Sequence, residues 1–145
     1  MDYEAEIGEI IKQYRNYWRS NPIKAREIIE NAFREYPNDY LIMHYYMWNI
    51  GGDLADNDPD VLIAHKDEFL SICAKILEGC TDEYLRLGAW NMRAKILHAE
   101  GNTDEALDIY KTKFKKFFWL FLTKLLGRTK NILKTAISLL TFANF

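Results

Sequence analysis

An all-helical fold is predicted by three features of the sequence. Apolar residues recur at three- and four-residue steps, the 7 glycines and 3 prolines fall mostly between such runs, and most runs open on a side chain suited to capping. So few glycines and prolines leave little provision for the many turns of an all-β protein. The 145 residues are 49% apolar and 14% aromatic, enough for a packed core and against intrinsic disorder.

Each element follows from its own pattern. Between Glu4 and Arg19, the residues Ile7, Ile10, Ile11, Tyr14, Tyr17 and Trp18 share one helical face, which must be buried. Ser20-Asn21-Pro22 ends that helix and starts the next, with Asn21 as cap and Pro22 at the first helical position, where its missing N–H costs nothing. The second helix runs to about Tyr36 with Ala25, Ile28, Ile29, Ala32 and Phe33 inward, and Pro37-Asn38-Asp39 ends it and offers Asp39 as the next cap. A third helix from Tyr40 to Ile50, dense in aromatics and methionine, stops at Gly51-Gly52. After the acidic loop Asp53–Asp58, Asp58-Pro59 repeats the cap-then-proline start, and a fourth helix is expected to run unbroken to Glu78, with Gly79 at its stop. A fifth spans Asp82–Glu100 and ends at Gly101. Asn102 and Glu105 form a capping-box start for a sixth, carrying Ala106, Leu107, Ile109, Tyr110 and Phe114.

The spacing within these hairpins resembles a known repeat family. Ala25, Ile29, Ala32 and Pro37 stand in the order of the second-helix signature of the tetratricopeptide repeat, and Trp90, Ala94, Leu97, Gly101, Ala106 and Tyr110 resemble a complete unit. Gln13 and Lys113 depart from it where the family has a small residue. The resemblance implies an all-α chain, an α–α superhelix of three irregular tetratricopeptide-like hairpins over residues 1–114; the register fades near Phe114, and the composition of residues 115–145 predicts a basic apolar C-terminal helix. Cys80–Lys95 and Ala99–Leu107 also look like the C-terminal region of bacterial helix-turn-helix regulators of the Cro/repressor class. That implies regulatory protein contact without direct nucleic-acid binding by this chain, since Met1 leads straight into the first hairpin.

In such a superhelix the first helix of each hairpin lines the concave side. The resemblance therefore implies a peptide- or protein-binding groove at His44 and Trp48 in the third helix and at Asn91, Lys95 and His98 in the fifth. The competing reading makes His44 and Trp48 partly buried core and Lys95 a solvated cation.

Other constellations are weaker. Asp56, Asp58, Asp60 and Asp67 have the spacing of a calcium loop, but Val61 stands where that loop needs glycine and Pro59 stiffens its middle. Cys73, Cys80 and His65 lack the paired spacing of a zinc site, and two cysteines are too few for a disulfide framework, which suits a reducing cytoplasm. The acidic N-terminus has neither the basic region nor the apolar run of a signal peptide. With no phosphate loop, nucleophile elbow or metalloprotease pair, the sequence predicts no catalytic residue, metal or cofactor.

Charge divides the chain. Residues 1–108 carry all 21 acids and 11 of the 19 bases, whereas residues 109–145 carry the other 8 bases and no acid. The tail interleaves Lys124, Arg128, Lys130 and Lys134 with Leu and Ile, which suits docking on an anionic membrane surface better than spanning a bilayer, or capping the end of the superhelix. A shifted reading frame in an AT-rich gene would give the same composition. The expected function is a cytoplasmic, non-enzymatic module that binds a protein or peptide or self-associates, as part or truncated relative of a helix-turn-helix regulator. The alternative is a stand-alone adaptor docking on membrane through its tail.

Overall fold

Short polar side chains set where the helices begin. In the computed structural model, which describes residues 2–52 and 58–115, Asp2 Oδ1 accepts from the Ala5 N–H at 2.8 Å, Asn21 Oδ1 from Lys24 at 3.2 Å, Asp39 Oδ1 from Ile42 at 2.9 Å and Asp82 Oδ1 from Leu85 at 3.0 Å. Each satisfies one of the N–H groups that a helix start leaves without an internal partner. The helices are α1 (Tyr3–Tyr17), α2 (Pro22–Glu35), α3 (Tyr40–Gly51), α4 (Pro59–Ala64), α5 (Lys66–Gly79), α6 (Glu83–Ala99) and α7 (Thr103–Lys113), and no strand occurs among the described residues. The all-α class is thus as the sequence predicts.

Two expectations about the elements are corrected. The fourth helix is broken at His65, whose φ of −102° and ψ of 9° leave the helical region, so that α4 buries Leu62 and α5 restarts to bury Phe69, Ile72, Cys73 and Ile76. Neither glycine nor proline marks the break; the His65 ring stacks on Phe69, with centroids 5.2 Å apart. At the start of α7 the Asn102 side chain makes no capping bond. There the junction is organised from the α6 side. Gly101, at φ 88°, takes the left-handed conformation, and the bonds from Gly101 N to His98 O at 3.0 Å and from Asn102 N to Leu97 O at 2.8 Å close α6 in a Schellman motif.

The described residues fall into two compact units, one up to Asn49 and the other from Ile50 to Lys115. In the N-terminal unit α1 and α2 pack as an antiparallel hairpin around Ile7, Ile11, Tyr14, Ala25, Ile29, Ala32 and Ile42. Asn49 ties the three helices together, accepting from Arg26 Nε at 3.2 Å and donating to the Tyr14 hydroxyl at 3.1 Å. In the second unit α6 packs against α4, α5 and α7. Its contact with α7 is built on small residues, Ala94 and Ala106, which let the helices approach around Tyr110 and Phe114. Lys113, a departure from the repeat pattern, holds its ammonium 4.4 Å from the centroid of the Trp90 ring. No described helix is long and apolar enough to cross a membrane. The basic apolar C-terminal helix expected for residues 115–145 lies, beyond Lys115, outside the described residues.

The N-terminal hairpin carries a pH response. Tyr3 donates its hydroxyl proton to Asp39 Oδ2 at 2.6 Å, and this bond, helped by burial and by the Asp39 charge, pushes the phenol up to about 12. Tyr36 donates to Glu6 and is shifted the same way. A phenol whose folded pKa lies above its ordinary 10 stabilises the fold fully below pH 10, and the contribution is lost as pH rises through 12. Thermal midpoints should therefore fall between pH 10 and pH 12, less steeply in a Tyr3→Phe variant; equal slopes would overturn the assignment.

Candidate functional site

The five positions expected to line a groove are mostly interior. On α3, His44 and Trp48 are 1% and 6% exposed; the His44 ring meets Tyr45 edge-on at 5.3 Å, and its centroid lies 6.5 Å from that of Trp48. This burial follows from a helix that is apolar on nearly every side, with Ile42, Met43, Met47 and Ile50 also enclosed. On α6, Asn91 is fully buried and accepts from the Tyr110 hydroxyl at 2.7 Å. Lys95 is 5% exposed and donates to the carbonyls of Gly51 at 2.7 Å and Gly52 at 3.1 Å. His98 is half-buried, with Nδ1 3.4 Å from the Thr103 hydroxyl. Asn91, Lys95 and His98 therefore tie α6 to neighbouring elements, while His44 and Trp48 pack beside each other within α3.

Lys95 and Gly51 have a shared logic. The last carbonyls of α3 have no helical partner and carry the negative end of the helix dipole, so a buried ammonium placed on them satisfies both. Glycine at position 51 lets α6 come close, because a Cβ there would stand 2.5 Å from the Met92 methyl and 3.3 Å from Leu62 Cδ2. The Lys95 charge is therefore neither solvated nor offered to a groove. Sequence alone does not reveal this, since the acceptors are main-chain atoms 44 and 43 residues away.

Of the residues weighed for metal binding, Asp58 has a structural role. Asp58 caps α4, accepting from the Asp60 N–H at 3.1 Å, while Asp56 lies outside the described residues. Among the described residues no three His, Cys, Asp or Glu side chains converge. Cys73 and Cys80 are buried and not joined in a disulfide, and burial pushes the Cys73 thiol up to about 12 against a smaller opposing pull from Arg93. The folded protein should thus stay unlabelled by a thiol reagent at neutral pH and gain two labels in denaturant. Rapid labelling of the folded chain would refute this packing.

An open groove of about 380 Å³ lies instead between α1 and α3 in the N-terminal unit. Ile11 and Leu41 supply apolar surface, Lys12, Arg15 and Asn16 form one wall, and Tyr45 stands opposite. Nothing lies within 4 Å of where a Cβ on Gly8 would be, so the rim is low there. Arg15 donates to the Tyr45 hydroxyl and lies 5.3 Å from its ring centroid, while neither Lys12 nor Arg15 is ion-paired with a carboxylate among the described residues. The sequence signal was the placement of Lys12, Arg15 and Asn16 beside the apolar stripe of α1, which helical periodicity alone reads as an ordinary polar edge. No protein-family model, curated protein or solved structure matches the chain.

Proposed function

We propose that the chain is a non-enzymatic, tetratricopeptide-like helical module that binds a protein or peptide through the α1–α3 groove. One observation carries this reading: Lys12 and Arg15, without carboxylate partners among the described residues, border apolar surface from Ile11 and Leu41 in an open groove. An extended peptide can lay an apolar side chain on that floor while a carboxylate meets the two cations, a pairing that also speeds encounter. The tetratricopeptide-like part of the proposal is supported by the burial of Ala25, Ile29 and Ala32 at 0%, 0% and 4%, of Ala94, Ala106 and Tyr110 at 0%, and by the left-handed turn at Gly101. Within this proposal the module serves as the regulatory part or a relative of a helix-turn-helix regulator, contacting protein and not nucleic acid.

Selection from a random peptide library on the full chain tests the reading. Enriched sequences should pair Asp or Glu with an aliphatic or aromatic residue, and Lys12→Glu with Arg15→Glu should weaken them by about tenfold or more. No enrichment, or enriched peptides indifferent to both substitutions, would overturn it.

A further inference from the structure

The turn joining α1 to α2 combines exposed apolar side chains with a concentration of positive charge that the fold does not require. Ile23 is 84% exposed and Trp18 42%. From residue 10 to residue 26 the chain carries five bases, Lys12, Arg15, Arg19, Lys24 and Arg26, and no acid. Helix electrostatics account for only part of this. Arg15 sits in the last turn of α1, where the dipole favours a cation, but α2 has no acid in its first turn and places Lys24 there, where a cation is disfavoured. Arg26 is engaged with Asn49, whereas Arg19 and Lys24 lie against aromatic rings, Arg19 over Trp18 at 5.0 Å and Lys24 over Tyr17 at 4.4 Å.

We infer that the α1–α2 turn docks on an anionic lipid surface, with Trp18 and Ile23 entering the headgroup–acyl boundary and Arg19 and Lys24 meeting lipid phosphates and carboxylates. Trp beside Arg or Lys at a water–apolar boundary suits the interface, where an amphipathic ring and long basic side chains each place a polar end in the headgroups. Charge selects the anionic leaflet. Stacking on single-stranded nucleic acid fits less well: Arg19 covers a face of the Trp18 ring, and Ile23, the most exposed large apolar side chain among the described residues, has no part in stacking. The surface is separate from the groove floor, so this inference and the peptide-binding reading fail independently.

Co-sedimentation of the full chain with phosphatidylcholine vesicles, with and without phosphatidylserine, tests the inference. Binding is expected only with phosphatidylserine and should fall steeply with added salt. Trp18→Ser with Ile23→Ser should weaken it by about tenfold or more, and so should Arg19→Glu with Lys24→Glu. These side chains are at the surface, so the variants should keep the wild-type circular dichroism and cooperative thermal unfolding. Absence of binding to phosphatidylserine vesicles would overturn the inference. So would binding that both double variants retain, which would place the contact on the basic C-terminal residues they leave unchanged, or loss of single-stranded RNA binding in the variants with vesicle binding intact.

Discussion

Tyr110→Ala is expected to destabilise the second unit by about 3–5 kcal/mol, the range for emptying a large aromatic site in a core. Tyr110 is fully buried, packed with Ala94, Ala106 and Phe114, its ring centroid 5.5 Å from that of Phe114. Ala94 and Ala106 are too short to reach into the vacated volume. The hydroxyl adds a second loss, because Asn91 Oδ1 accepts from it at 2.7 Å, and Asn91 Nδ2 already meets no acceptor among the described residues. Tyr110→Phe isolates that part and should cost about 1–3 kcal/mol, the penalty for stranding a buried acceptor. Denaturant unfolding measures both, and pairing Tyr110→Phe with Asn91→Leu should cost less than the sum of the singles. A loss below about 1 kcal/mol for Tyr110→Ala would contradict the packing around it.

Lys95→Ala is the second large effect, expected at about 2–5 kcal/mol, the range for emptying the site of a long buried side chain, with stranded carbonyl acceptors adding to it. The substitution strips the ammonium from two main-chain carbonyls and leaves the space of a four-carbon stem empty. Lys95→Met separates the two contributions, since it fills most of that space without a charge. Two effects then oppose each other: the carbonyls of Gly51 and Gly52 lose their donor, while the burial of an ammonium no longer has to be offset. With the stem kept, Lys95→Met should fall about 2 kcal/mol short of the alanine loss. Equal losses would mean that the stem's packing contributes little.

Local chemistry was legible in the sequence wherever a short-range rule governs it. The caps at Asn21, Asp39 and Asp58, the prolines that follow Asn21 and Asp58, and the stop at Gly101 depend on residues within a few positions of one another, and each stands where the pattern puts it. The buried faces of α1 and α2 were readable except at Trp18, which periodicity puts on the buried face of α1 but which ends 42% exposed where the helix gives way to the turn; elsewhere an amphipathic stripe on a two-helix hairpin has one direction in which to turn. Periodicity failed at His65, where the helix breaks with no glycine or proline to mark it, and at Asn102, where the main chain of α6 organises the junction. It could not place the site residues. A polar side chain on an otherwise apolar helix reads the same whether it faces a ligand or a main-chain carbonyl, and Asn91 and Lys95 face internal partners. The groove is not legible in the sequence because α3 is apolar nearly all round, so the partly buried Leu41 and Tyr45 do not stand out from its fully buried positions.

The long reach of the Lys95 clamp bears on the order of folding. Gly51 and Lys95 are 44 residues apart, so their contact must wait for a loop whose closure costs entropy growing with its length, whereas the Schellman turn between α6 and α7 closes over a few residues. Loop-closure entropy thus predicts that local helix pairing comes first and the clamp late. Its free energy therefore belongs to the native side of the barrier: the clamp slows escape from the folded state and leaves the speed of reaching it almost unchanged.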